Sequence, residues 1–220
     1  MRIHTVIVSG GNIQEDFALF FLKRNTYDRL IGVDKGLEFL YRHQILPTHI
    51  VGDFDSVDTE VISWYREHNT EIEIRTFDPV KDSTDTQIAV ELALELGSTE
   101  ITILGGMGSR LDHTIGNVQT MALAMKAGVP CALLDAQNRV RLIREPLTIK
   151  KEEQYGRYVS LLPLTTTVEE VSLKGFKYPL TNHTFTSTES AGLGVSNEIV
   201  DREAHITFSQ GVLMLIESRD

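Results

Sequence analysis

A change of period near residue 137 constrains this chain's fold more than any other feature. Before it, short apolar runs alternate with helical patterns; after it, convincing helical patterns stop. Residues 3-IHTVIVSGG-11 read as a strand ending in a glycine turn, followed by a helix from about Glu15 to Arg24. The segment 28-DRLIGVDKG-36 repeats strand and turn, then gives a helix through Leu37, Leu40 and Tyr41. Pro47 separates that helix from a third strand, 48-THIVGD-53. Residues 59–68 read as a short helix, and 71-EIEIRTF-77 alternates like a strand. Thr84 and Gln87 have capping-box spacing ahead of Ile88, Leu92 and Leu96 on one helical face. A further strand, 101-ITILGG-106, precedes a helix lined by Ile115, Val118, Ala122 and Met125 and ending at Gly128, and 131-CALLD-135 closes the series.

Strand, turn and helix repeated in this way predict an α/β domain over residues 1–136: a Rossmann-like, mostly parallel sheet with flanking helices. Ligand groups in such a sheet belong on loops at the carboxyl ends of strands. Over residues 137–220 the runs 140-VRLI-143, 158-YVSLLPL-164, 168-VEEVSL-173, 184-TFTST-188, 205-HITFSQ-210 and 212-VLMLIES-218 are punctuated by glycine and proline. They predict an antiparallel β-sandwich or barrel as the second domain.

The 220 residues carry 21 basic against 31 acidic side chains, a formal charge of −10. That excludes a general nucleic-acid or anionic-membrane binder, whose contacts need clustered positive charge. The single cysteine, Cys131, lies in the apolar run 129-VPCALL-134 and reads as a core residue, so cysteine-based metal motifs are absent. The start, MRIHTVIVSGGN, turns polar too early for a signal peptide, and no stretch reaches membrane-spanning length, which predicts a cytoplasmic protein.

Acids gather after three of the predicted strands. Asp53 and Asp55 follow 48-THIV-51; in an extended segment side chains two apart point the same way and converge. A solvated turn with aspartate-capped backbone is the plain alternative. Asp82 and Asp85 stand where the 71–77 strand gives way to the next helix; for Asp85, at a helix start, attraction to the helix dipole is explanation enough. The third loop, 105-GGMGSRLDH-113, offers Gly105, Gly106 and Gly108 for close backbone approach to an anion, Arg110 as a planar donor for phosphate oxygens, and Asp112. Oxygen ligands without cysteine or a histidine cluster suit Mg²⁺ bridging carboxylates to phosphates. A two-carboxylate glycosidase has no use for the glycine-rich anion site or Arg110, so phosphoryl chemistry is favoured. Hydrolase, transferase and noncatalytic nucleotide sensor all remain open on spacing alone.

These segments also resemble, in order, the motifs of thiamine pyrophosphokinases. Residues 32-GVDKG-36, 52-GDFDS-56, 81-KDSTD-85, 105-GGMGSRLDHTIGN-117 and 194-GVSN-197 each match a family element, with Val33 and Lys35 replacing small family residues. The resemblance implies diphosphoryl transfer from ATP to the thiamine hydroxyl, leaving AMP, by a homodimer with an α/β nucleotide domain and a β-sandwich thiamine domain. It places Asp53, Asp55, Asp82 and Asp112 on Mg²⁺–ATP, with Asp85 as a further candidate. Gly105, Gly106, Gly108 and Arg110 fall on phosphates, and Asp34 on the substrate side. Asp55 and Asp82 are equal candidates to accept the hydroxyl proton. His113 either contacts the nucleotide or holds its loop; Ser196 faces the thiamine ring; Asn197 either joins it or holds the turn. Trp64, on a predicted helix, reads as a core or interface side chain.

Overall fold

Residues 1–54, 57–68, 72–76, 83–108 and 110–220 are described by a computed structural model. The chain forms two compact units, Met1–Ala136 and Gln137–Asp220.

The first unit contains six strands: β1 His4–Val8, β2 Arg29–Val33, β3 His49–Gly52, β4 Glu73–Thr76, β5 Glu100–Leu104 and β6 Cys131–Leu134. They lie in the order β6-β5-β1-β2-β3-β4, and each neighbouring pair is parallel. Helices α1 Glu15–Arg24, α2 Gly36–Arg42, α3 Thr59–His68, α4 Asp85–Glu95 and α5 Leu111–Lys126 connect them. All five residues of the central strand β1 are buried, which is why it reads as a continuous apolar run rather than an alternation. Strand β4 sits at the sheet edge and has no fully buried residue. Its pattern therefore alternates.

The chain moves from β1 outward to β4 and then crosses back to β5 on the other side of β1. Between β1 and β5 the strand order reverses, and neighbouring loops leave the sheet in opposite directions. A crevice at the carboxyl ends of these two strands is the geometric consequence.

One helix turns a different face inward from the predicted one. The apolar stripe Ile115, Val118, Ala122 and Met125 was expected to line the core, but the buried residues of α5 are Asn117, Thr120, Met121 and Ala124. Asn117, Met121 and Ala124 each lie one residue before a stripe position, a rotation of about 100° on a helix. Leu111 and Ile115 are left 68% and 52% exposed. The inward face carries the Asn117 amide because that group supports the glycine loop.

The second unit packs two antiparallel sheets face to face. One contains β7 Asn138–Ile143, β9 Tyr158–Pro163, β12 Asn197–Glu198 and β14 Leu213–Ser218; the other contains β8 Leu147–Lys150, β10 Thr167–Lys174, β11 Leu180–Thr186 and β13 Glu203–Thr207. Val159, Leu161, Leu213 and Leu215 from the first sheet meet Ile149, Val171, Leu173, Phe185 and Ile206 from the second. The sandwich expectation holds. Strands β8 and β12, the short helix α6 Ala191–Gly194 and a 3₁₀ turn at Lys151–Glu153 have no counterpart in the sequence reading.

Glu217 continues the inward series Leu213, Leu215 and, like them, is completely buried. Arg139 holds its carboxylate with two hydrogen bonds, 2.7 and 2.8 Å, while Arg141 adds one at 2.9 Å and the backbone N–H of Tyr155 one at 3.0 Å. Burial of a carboxylate is tolerable only with such compensation.

Candidate active site

The loops after β1 and β5 are stitched together beyond the sheet. Ser9 N–H donates to Leu104 O at 2.8 Å, Gly11 N–H to Gly105 O at 2.9 Å, and Asn12 N–H to Met107 O at 3.2 Å. This approach leaves no room for side chains. A Cβ on Gly11 would fall 2.3 Å from Gly105 O, and one on Gly105, where φ is +65°, would fall 2.3 Å from Ser9 O.

Helix α5 holds the same loop from below. The buried Asn117 donates through Nδ2 to Gly106 O at 2.7 Å. The Thr114 hydroxyl accepts from Gly108 N–H at 3.3 Å and donates to Arg110 O at 3.4 Å. The Gly108 amide, expected to face phosphate, is thus engaged by Thr114. On the other flank, Ser9 Oγ and Thr86 Oγ1 lie 2.6 Å apart in a buried contact that ties β1 to the start of α4. Thr84 caps α4, accepting from Gln87 N–H at 3.2 Å. The Gln87 amide instead donates to Ser83 Oγ at 3.1 Å and Glu91 Oε1 at 3.0 Å, so the box expected from the sequence is closed on one side.

Together these segments enclose a cleft of about 750 Å³. It is lined by segments 9–12, 34–35, 84–86 and 105–108 and by Arg110, His113, Thr114 and Asn117. Of the predicted residues, Asp34, Asp85, Gly105, Gly106, Gly108, Arg110 and His113 therefore meet in one place. Asp53 and Asp112 are not among the lining residues, and Asp55 and Asp82 lie outside the described residues. The β3 loop does reach Asp34. A Cβ on Gly52 would fall 2.6 Å from Asp34 Oδ1, so the absence of a side chain there lets the Asp34 carboxylate settle beside the loop that carries Asp53.

Arg110 and Asp112, assigned separate duties from the sequence, pair with one another: Nη2–Oδ2 is 2.6 Å and Nε–Oδ1 3.3 Å, with both side chains mostly exposed. The Arg110 guanidinium holds the Asp112 carboxyl below the usual carboxylate range, and the carboxylate holds Arg110 above its own. Much of the planar fork is thereby occupied.

Ser196 and Asn197 belong to the second unit. Ser196 adopts φ +58° and its N–H donates to Ser160 Oγ at 3.0 Å. The buried Asn197 amide brackets Tyr178, accepting from its N–H at 3.0 Å and donating to its carbonyl at 2.8 Å, and also accepts from Glu198 N–H at 2.9 Å. Its hydrogen bonds hold backbone. Trp64 stacks on His68 at 4.4 Å and meets Tyr41 and Tyr65 edge-on within α2 and α3, an intramolecular cluster.

The sequence reading gave no site role to 9-SGGN-12, Thr114 or Asn117. A glycine pair directly after a buried strand was the available signal for the first of these.

Residues 23–133 match the description "Thiamin pyrophosphokinase, catalytic domain", and residues 146–213 match "Thiamin pyrophosphokinase, vitamin B1 binding domain". The chain belongs to the thiamine pyrophosphokinase family. It is 33% identical over 190 residues to thiamine pyrophosphokinase of Bacillus subtilis strain 168, covering 86% of this chain and 87% of the relative. The crystal structure of a Bacillus subtilis thiamine pyrophosphokinase superposes with a TM-score of 0.85 at 31% identity, covering 99% of both chains. That from Geobacillus thermodenitrificans gives 0.85 at 32%, covering 99% of this chain and 98% of the other. The Candida albicans enzyme, at 18% identity and a TM-score of 0.80, shares the fold. The family's reaction is the ATP-dependent formation of thiamine diphosphate.

Proposed function

We propose that this chain transfers the terminal diphosphoryl group of ATP to the hydroxyl of thiamine. The thiamine oxygen bonds to the β-phosphorus, the bond from that phosphorus to the AMP oxygen breaks, and the hydroxyl proton passes to a carboxylate. AMP and thiamine diphosphate are the products. The observation that carries the reading is the cleft at the β1/β5 reversal, walled by the stitched glycine loops and the α4 and α5 starts. A polyphosphate fits a site of backbone amides and fixed hydroxyls that need not reorganise as it binds.

Within this reading, Gly105 and Gly106 offer backbone to phosphate, and Thr114 and Asn117 keep the loop in shape. His113 and Asp34 both line the nucleotide cleft, and Asp85 stands at the α4 start. Asp55 and Asp82 are both retained as proton acceptors. In the second unit, Ser196 contacts thiamine while Asn197 fixes the adjoining backbone.

Mg²⁺ is part of the proposal, and donor chemistry supports it. Asp34 and Asp53 at strand ends and Asp85 at the start of α4 offer hard carboxylate oxygens, whereas burial pushes the Cys131 thiol up to about 12, far from a ready thiolate. Among the described residues no three acidic, histidine or cysteine side chains are grouped as a metal site. We assign the ion to Asp53 with Asp55 and Asp82, and leave Asp112 to Arg110. The ion, when bound, supplies positive charge to the polyphosphate oxygens.

A homodimer and a cytoplasmic setting complete the proposal. The uncovered apolar stripe from Leu111 to Ile115 supports association, and light scattering of the purified chain tests it. No helix among the described residues is long and apolar enough to cross a membrane.

The deciding experiment incubates the protein with ATP, Mg²⁺ and thiamine and resolves the products by chromatography. AMP and thiamine diphosphate in equal amounts are expected. ADP in place of AMP, or phosphate released without thiamine, overturns diphosphoryl transfer; binding without turnover leaves a sensor.

A further inference from the structure

The charges lining the cleft do not balance in the way the sequence suggests. Arg110 is the obvious partner for phosphate, but its guanidinium already makes two contacts to Asp112. The other lining residue with a fixed positive charge is Lys35, and among the described residues it pairs with no carboxylate. Its neighbour Asp34 faces Gly52 instead.

The base of Lys35 is held in place. Its backbone has helical angles, φ −61° and ψ −16°, at the entry to α2. The loop after β1 packs directly on it: a Cβ added to Gly10 would meet Lys35 N at 3.2 Å and Lys35 Cβ at 3.3 Å. The next residue is pinned as firmly, because a Cβ on Gly36 would fall 2.1 Å from Val8 O. A flexible four-carbon stem thus starts from a rigid point on the cleft wall, with an exposed ammonium at its end that no described carboxylate pairs with.

We propose that Lys35 is a substrate-binding residue for the polyphosphate, its ammonium contacting a phosphate oxygen when ATP occupies the cleft. The inference rests on the reading of this cleft as the ATP site. It gives Lys35 a specific duty in place of an ordinary surface pair with its neighbour Asp34. It also gives the lysine a duty distinct from that of Arg110, whose fork is shared with an acid.

The test compares wild type with Lys35→Met, which keeps the stem and removes the charge, and Lys35→Arg, which restores it. Calorimetry measures the Kd for ATP with Mg²⁺, steady-state kinetics give KM for thiamine, and circular dichroism checks the fold. A charge-assisted hydrogen bond implies roughly a tenfold or greater rise in the ATP Kd for Lys35→Met. Recovery in Lys35→Arg and an unchanged KM for thiamine are expected alongside it. Wild-type ATP affinity in folded Lys35→Met overturns the proposal, as does a Lys35→Arg protein no better than Lys35→Met. A wild-type protein that binds no ATP overturns the reading of the cleft itself.

Discussion

Asn117→Ala probes how much the glycine loop depends on the helix beneath it. The substitution removes the donor that Gly106 O receives at 2.7 Å, at a position where both residues are buried. A typical hydrogen bond contributes about 1 kcal/mol, and an orphaned buried acceptor costs about 1–3 kcal/mol. Both residues border the cleft, where a water can partly replace the donor, so the middle of that range applies to stability. The loop should not collapse, because the bonds from Gly11 N–H to Gly105 O and Asn12 N–H to Met107 O remain. What it loses is one of its fixed points, and with it part of the preorganisation that makes backbone amides effective toward phosphate. If about 1.4 kcal/mol of this reaches the transition state, kcat/KM for ATP falls about tenfold. Asn117→Asp should be worse, since it places a carboxylate oxygen against the Gly106 carbonyl. Urea unfolding and product formation at varied ATP measure the two effects. An Asn117→Ala protein with lowered stability but wild-type kcat/KM for ATP would refute the link between this tether and nucleotide handling.

Three further substitutions test other parts of the structure. Glu217→Gln leaves Arg139 and Arg141 partly buried without their shared carboxylate and should cost about 3–5 kcal/mol, read as a lower urea midpoint; an unchanged midpoint rejects the reading. Burial holds His49 below its ordinary 6.5, outweighing the opposite pull of Glu73 at 3.6 Å. The unfolded chain therefore binds the extra proton first, so stability is full above 6.5 and declines as pH falls toward the lower folded value. His49→Gln should flatten that decline in melting curves. Gly52→Ala would set a Cβ 2.6 Å from Asp34 Oδ1 and displace the carboxylate, so activity should fall with the fold retained. The double variant with Asp34→Ala should be no worse than the single ones, and additive losses would sever the two residues.

Much of the first unit was legible because its strands are buried on both faces and its helices sit between glycine, proline and capping signals. Helices α1 and α3 occupy the predicted residues, and the Thr84 cap is in place. The orientation of α5 was not legible. Apolar periodicity assumes that the buried face is the apolar one, whereas Asn117 is buried to hold the Gly106 carbonyl. The return of the chain to β5 beside β1 is a tertiary event, which local pattern does not encode. For that reason 9-SGGN-12 went unread as part of the site: only adjacency to the 105–108 loop gives those residues a purpose. Strands β8 and β12 escaped because four and two residues carry too little alternation to register. Acids were easy to see, but their partners were not. The pairing of Arg110 with Asp112 and the bracketing of Tyr178 by Asn197 depend on side-chain geometry.

A chain with a formal charge of −10 that takes a polyanion must solve an electrostatic problem, and the cleft indicates how. Among the described residues its lining acids are Asp34 and Asp85, and Lys35 is the lining cation without a carboxylate partner, since Arg110 is offset by Asp112. Bare ATP would therefore meet little spare positive charge among the described lining residues. Backbone amides contribute partial charges and direction, but they cannot neutralise a triphosphate by themselves. The arrangement favours a nucleotide that arrives with a divalent cation already sharing its charge. The acids then become attractive to the complex instead of repulsive to the phosphate. In the proposed site the carboxylates near the cleft favour the cation-bearing form of the nucleotide, and Lys35 holds one of its remaining negative oxygens.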